Sequence, residues 1–402
     1  MEKLIQNYQR LFIENKPKYH RKFYDDFKMT FRFMGIIGAR GVGKTTFLIH
    51  YLRHNFKNSK QALYVSADNI YFSENNLLDL VDKFINFYNG KILCIDEIHK
   101  YKNWQQELKN IYDSYQNIKI IFSGSSSLDL IQGKYDLSRR VILKIMYGFS
   151  FREYLEIKTQ KKFPVLKLEK LLNSPNLNLK ISHTKQILGH FKEYLKRFYY
   201  PASLEIDSYE VFQETLFNVI EKTIFEDISS YYRLKTQNLD IFKKIIYFLA
   251  TTAPGSFSIN KLAKSLKKDH TTISDYIQIL KNTGLLIFLL NNQHGHSLVR
   301  NAEKIYISNT NLLFAINNAI GKEVNIGTMR EIFVISSLIK AGYQVFYSKN
   351  GDISCLDQIF EIGGASKTKK QIKNLEKAYL IKDDILYQDK NIIPMYLFGF
   401  LN

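Results

Sequence analysis

One short stretch, GARGVGKTT at 38–46, constrains this chain more than any other. It follows an apolar run, FRFMGIIG (31–38), and opens a segment of helical spacing, KTTFLIHYLRHNF (44–56). The pattern G-x-x-x-x-G-K-[ST] in a strand–loop–helix context is that of a phosphate-binding loop. Gly38, Gly41 and Gly43 permit a loop with inward-pointing backbone N–H groups, and the helix N-terminus adds a favourable dipole for an anion. Gly38, Ala39, Arg40, Gly41, Val42, Gly43, Lys44, Thr45 and Thr46 would line the phosphates of ATP. Lys44 would reach the β- and γ-phosphates, the Thr45 hydroxyl would ligate Mg²⁺, and Thr46 would lie beside the α-phosphate. The competing reading is a glycine-rich turn with a chance lysine.

Such a loop calls for an acid to hold the metal and another to handle water. KILCIDEIHK (91–100) ends an apolar run in Asp96 and Glu97. Asp96 is expected on a strand beside the loop-bearing one, where it would hold Mg²⁺. Glu97 would polarise the attacking water, the alternative being a loop acid or a helix cap. His99 and Lys100 are assigned to the following turn, without chemistry. IKIIFSGS (118–125) offers Ser123 and Ser125 as polar groups near the γ-phosphate or water, or as a helix cap. DLSRR (136–140) offers Arg139 and Arg140, either as γ-phosphate sensors, in cis or from a neighbouring subunit, or as a solvated pair.

Strand-like runs at 31–38, 62–67, 91–96, 118–125 and 139–146 alternate with helical patterns at 44–56, 77–88 and 103–115. This alternation predicts a parallel sheet covered by helices on both faces. From about 150 the pattern turns helical, and 163–182 reads as a looser connector. SINKLAKSL and TTISDYIQIL then carry apolar residues at helical spacing, and LLIFLL follows as a strand, a winged helix-turn-helix pattern. Its second helix would expose Thr271, Thr272, Ser274, Gln278 and Lys281, with Lys267, Lys268 and His270 in the turn. These suit duplex DNA, while Asp269 and Asp275 oppose it, and such modules also serve as packing units. The last hundred or so residues alternate again, ending in the strand candidate IIPMYLFGFL.

Together GARGVGKTT, ILCIDEIHK, IIFSGSS and DLSRRVILKIMYGFSFREYL resemble a family of prokaryotic AAA-superfamily ATPases with a winged helix and a C-terminal PD-(D/E)xK nuclease-like domain. The resemblance implies an α/β fold: a P-loop NTPase parallel sheet with helices on both faces, then a helical and winged-helix region, then a small α/β restriction-endonuclease-like domain. It places these at 1–155, 156–295 and 296–402. It also implies an extra strand between the P-loop and Asp–Glu strands. By resemblance Lys44 and Thr45 bind nucleotide and magnesium, Asp96 and Glu97 are the metal-side and catalytic acids, Ser125 is the polar sensor, and Arg140 matches the family arginine. Arg139 stands where glycine is usual.

A nuclease of that type needs clustered acids and a lysine. Glu331, Asp352 and Glu361 match the acids in order, but Gly363 occupies the lysine position, with Lys367 as a loop substitute. Two outcomes stand, an active nuclease or a retained fold used for contacts.

Composition adds bounds. The 402 residues carry 57 Lys+Arg against 38 Asp+Glu, a net charge of +19, which suits a polyanionic partner such as DNA. Codon drift in an AT-rich genome explains the same lysine excess, given 29 Phe, 27 Tyr and only 6 Pro. No apolar run reaches the ~18 residues of a membrane span. The start has no signal-peptide core, and the two cysteines, Cys94 and Cys355, lack metal spacing. The expectation is a cytoplasmic, ATP-hydrolysing molecular switch, the alternatives being an ATP-regulated DNA-binding protein or a Mg²⁺-dependent nuclease. A protein partner and the oligomeric state stay open.

Overall fold

The computed structural model describes all residues except 15–16, 58, 125–136, 138, 233, 235, 255–257 and 292–301. The chain packs as two compact units, Met1–Tyr147 and Gly148–Asn402.

The first unit is built on five strands: β1 (Phe33–Ile37), β2 (Ala62–Ser66), β3 (Ile92–Asp96), β4 (Lys119–Gly124) and β5 (Val141–Ile145). All neighbours pair in parallel, in the order β2-β3-β4-β1-β5. The near-continuous apolar runs of β1 and β3 are buried throughout, as both-face coverage requires. Helix Lys44–Phe56 packs across β2, β3 and β4, and helix Glu2–Glu14 lies against it and β2. Helices Leu77–Tyr88 and Trp104–Ser114 pack together, and Trp104 meets Phe122 of β4. The Asn76 side chain caps the first of these by accepting from Asp79 N. This is the expected parallel sheet with helical cover. One expectation needs correction: β3 is not beside β1. β4 lies between them, so Asp96 is two strands from the loop-bearing strand, as the family resemblance implied.

The second unit opens with helix Phe151–Thr159, which starts in a reciprocal cap. Ser150 accepts from Glu153 N, and Glu153 accepts from Ser150 N. By packing, this helix lies in the second unit. The supposed connector 163–182 contains helices Leu168–Asn173 and Pro175–Ser182. In the first of these Leu168, Leu171 and Leu172 are all buried, which ties the segment to the core. Helices Ile187–Lys196, Tyr209–Lys222, Thr236–Thr251, Ile259–Leu266 and His270–Asn282 follow.

A seven-stranded sheet of mixed direction completes this unit. Its strands are β6 (Leu286–Asn291), β7 (Ala302–Ile307), β8 (Phe346–Tyr347), β9 (Ile353–Cys355), β10 (Gln358–Gly363), β11 (Ala378–Lys382) and β12 (Ile392–Pro394). Their order is β12-β11-β10-β9-β8-β6-β7. β6 and β7, on either side of the expected division at 295/296, form an antiparallel pair within one sheet. The final apolar run is a strand only over Ile392–Pro394; Met395–Phe400 turns into a 3₁₀ helix, all of it buried. An apolar run does not by itself separate buried strand from buried helix. Among the described residues no helix is long and apolar enough to cross a membrane.

Candidate nucleotide site

The loop after β1 adopts the conformation that its glycines allow. Gly43 has φ 97° and Gly41 φ 82°, values that side-chain-bearing residues rarely adopt. Gly38 is needed for a different reason: a Cβ there would stand 2.2 Å from the Met146 carbonyl oxygen. Lys44 and Thr45 begin helix Lys44–Phe56, so the loop ends on a helix N-terminus. The Lys44 ammonium donates to the carbonyls of Gly38 (2.9 Å) and Ala39 (3.1 Å), folded onto the loop it would leave for a phosphate. Val42 is fully buried and anchors the loop.

Asp96, only 3% exposed, is held by three hydroxyls. Thr45 donates to its Oδ2 at 2.5 Å, Tyr64 donates to the same oxygen at 2.9 Å, and Ser123 donates to Oδ1. The pairing Ile95↔Phe122 brings Asp96 level with Ser123, and Ile36↔Ser123 brings that serine level with the end of β1. Burial, then the neighbouring Asp96 charge, pushes the Tyr64 hydroxyl far above its ordinary range, so it stays a donor. A hydroxyl and a carboxylate at the mouth of the loop are the hard oxygen donors that Mg²⁺ takes.

Glu97 follows directly, in the left-handed region with φ 51°, and its backbone N–H donates to Ser123 Oγ at 3.1 Å. Ser123 thus contacts both acids, through the side chain of one and the backbone of the other. His99 Nε2 lies 3.3 Å from Glu97 Oε2.

Two residues outside the sequence expectation support the site. Tyr64 is a hydroxyl inside an apolar strand, and a buried hydroxyl must find a partner; that polar tip was its signal. Arg21 is buried and donates to the carbonyls of Val42 (3.1 Å) and Tyr147 (2.9 Å), tying the loop to the end of the β5 segment. No local pattern announced it.

The two arginines lie elsewhere. The pairing Phe33↔Val141 puts Arg140 level with the start of β1, about 20 Å of strand from the phosphate loop at its other end. Arg140 is also engaged by Asp113, Nε to Oδ1 at 3.0 Å and Nη2 to Oδ2 at 3.1 Å. Arg140 thus lies away from the phosphate loop and against Asp113, and Arg139 beside it is exposed. The expectation for Ser125 falls outside the described residues.

The second unit does bring the three C-terminal acids together, but around lysines. Lys304 Nζ lies 3.2 Å from Glu331 Oε2 and 3.6 Å from Asp352 Oδ1, and Tyr306 donates to Glu331. Glu361, 1% exposed, meets Lys367 Nζ at 2.5 Å through Oε1, while its Oε2 has no hydrogen-bond partner. Gly363 is part of this design: a Cβ there would stand 2.6 Å from Cβ and Cγ of Lys367, so the glycine leaves the room in which the loop lysine's stem lies. Burial, more than any neighbour, raises the Glu361 carboxyl above its ordinary value, with Lys367 opposing. Among the described residues no group of three or more His, Cys, Asp or Glu is arranged to hold a metal ion.

The expected recognition face is also altered. Asp269 caps helix His270–Asn282, accepting from Thr272 N (2.8 Å) and Thr272 Oγ1 (2.6 Å), so Thr272 is occupied and the acid has a structural role. Lys281 folds its ammonium over the Phe288 ring, 4.7 Å from the centroid, and burial lowers its pKa. Thr271, Gln278, Lys267, Lys268 and His270 remain exposed.

The family model of an AAA domain matches residues 30–155, and that of a domain of unknown function matches 188–323. The uncharacterized protein MJ1637 of Methanocaldococcus jannaschii is 30% identical over 399 residues, covering 91% of this chain and 84% of that protein. A second protein of that organism, the uncharacterized MJ1544, is 25% identical, covering 87% and 78%. Among solved structures, AMPPCP-bound DnaA from Aquifex aeolicus is similar at 19% identity and a TM-score of 0.28, covering 65% of this chain and 84% of that one. The chain belongs to the family of MJ1637, and its residues 30–155 carry an AAA domain with a P-loop.

Proposed function

We propose that the protein is a Mg²⁺-dependent, ATP-hydrolysing molecular switch. The observation that carries the reading is the joining of the phosphate loop to a buried acid, Thr45 to Asp96 at 2.5 Å, with Glu97 next in the chain. Thr45 and Asp96 would hold the metal, which when bound neutralises charge on the phosphates. Lys44 exchanges the Gly38 and Ala39 carbonyls for phosphate oxygens. The loop amides and helix N-terminus orient the same group. Glu97, on the mouth side of Asp96, orients a water and draws its proton toward the carboxylate. Ser123 fixes the spacing of the two acids. Arg140, which lies about 20 Å of strand from the loop, would serve as a γ-phosphate sensor from a neighbouring subunit. The reading is tested by Lys44→Ala, which should abolish tight ATP binding, and by Glu97→Gln, which should keep binding and stop turnover.

A second reading, ATP-regulated binding of duplex DNA through a winged helix, rests on one feature: Lys261, Lys264, Lys267 and Lys268 are all exposed on and just after helix Ile259–Leu266, beside the exposed start of the next helix. The acid that seemed to oppose DNA, Asp269, serves as a cap. Binding should weaken steeply with salt; no mobility shift at ~50 mM salt, with or without ATP, removes this reading.

The nuclease reading is the weakest. The Lys304 ammonium stands between Glu331 and Asp352, as a metal ion would, and Lys367 takes the third acid. We read this cluster as a retained charge network.

A further inference from the structure

We infer that His99 is a positioning residue for hydrolysis, setting the direction of the Glu97 carboxylate. The inference rests on the reading of Glu97 as the acid that handles water.

The backbone of Glu97 is fixed: it sits at φ 51° and is tied to Ser123. A left-handed glutamate is strained, and such strain persists where the surroundings over-determine it. The side chain beyond Cα is long, and a base must hold its oxygen within hydrogen-bond reach of the water. Something must therefore restrict the carboxylate, and the next turn does so. Ile98–Lys100 forms one 3₁₀ turn, closed by Lys100 N–H to the Glu97 carbonyl (2.8 Å) and Tyr101 N–H to that of Ile98 (3.0 Å). Ile98 is buried and pins the turn to the core. His99 is thereby aimed back at Glu97, its side chain 8% exposed against 25% for the glutamate. A buried ring in a pinned turn has little freedom, so the 3.3 Å approach of Nε2 to Oε2 leaves the other oxygen, Oε1, to face water. At 3.3 Å a ring that carries its proton on Nε2 attracts that oxygen without competing for the water.

The test compares His99→Ala and His99→Gln with the unmodified protein in steady-state ATP hydrolysis, with nucleotide affinity measured separately. A glutamine can place its amide N–H where Nε2 stood. The expected result is a kcat about tenfold lower for the alanine variant, with KM and analogue affinity within about twofold, and a glutamine variant within about threefold of the original kcat. In the Glu97→Gln background, His99→Ala should lower the residual rate no further, because both act through one carboxylate. Nitrogen-15 NMR of histidine-labelled, nucleotide-free protein gives a readout apart from turnover and uses the glutamine variant to assign the ring. Its signals should move when Glu97 becomes Gln. An alanine variant with unchanged kcat, a glutamine variant no better than alanine, or ring signals indifferent to Glu97→Gln overturns the inference. If the alanine variant does not fold, the glutamine variant and the NMR comparison still decide. Failure here with Glu97→Gln inactive removes only His99; full turnover in Glu97→Gln removes the underlying reading as well.

Discussion

Thr45 and Asp96, 51 residues apart, are joined by a 2.5 Å hydrogen bond, and that bond makes helix Lys44–Phe56 and the strand Ile92–Asp96 one site. It closes only because β4 spaces the two strands and supplies Ser123 from between them. The consequences can be tested one residue at a time.

Ser123→Ala removes the donor to Asp96 Oδ1 and the acceptor for Glu97 N–H. Leaving those buried groups underserved should cost about 1–3 kcal/mol of stability. Turnover should fall more than affinity, because the spacing of the acids changes while the loop does not. Denaturant unfolding and kcat against KM would show it.

Gly38→Ala forces a Cβ to 2.2 Å from the Met146 carbonyl oxygen. Backbone must move, since no flexible side chain is available to yield. Tight ATP binding should be lost, as read by titration of a fluorescent analogue.

Arg140→Ala should leave the affinity of isolated subunits for ATP within about twofold, since the guanidinium lies about 20 Å of strand from the loop. A tenfold loss in dilute protein would contradict the placement.

Much of the first unit was legible in the sequence. Glycines at 41 and 43 announce positive φ, and the apolar runs end where the strands end. What escaped were relations carried by topology. Nothing local says that Tyr64 faces Asp96, that Arg21 reaches Val42, or that Arg140 starts its strand at the wrong end of the sheet for the phosphates. The terminal run IIPMYLFGFL misled because burial on all sides erases the period that separates strand from helix. In the second sheet the strands were legible, but not that LLIFLL pairs with strands of the last hundred residues, because such partners come from distant segments.

In the second unit, Lys304→Met should destabilise by about 3 kcal/mol, because it leaves the mostly buried Glu331 and Asp352 facing one another. Thermal unfolding checks this. Wild-type protein should gain no stability from Mg²⁺ in the absence of nucleotide.

Glu361 gives a pH dependence. Its carboxyl is raised in the folded state, so the folded protein holds more protons than the unfolded chain between the ordinary and raised values. Stability contributed by this group therefore falls as pH rises through that window. Glu361→Gln should flatten that part of the profile, measured by urea unfolding at a series of pH values.

The most direct test of the whole account is single-turnover ATP hydrolysis by the Glu97→Gln protein, with analogue affinity measured alongside. The account predicts unchanged affinity and a rate reduced at least ~100-fold. Turnover equal to that of the unmodified protein would contradict it.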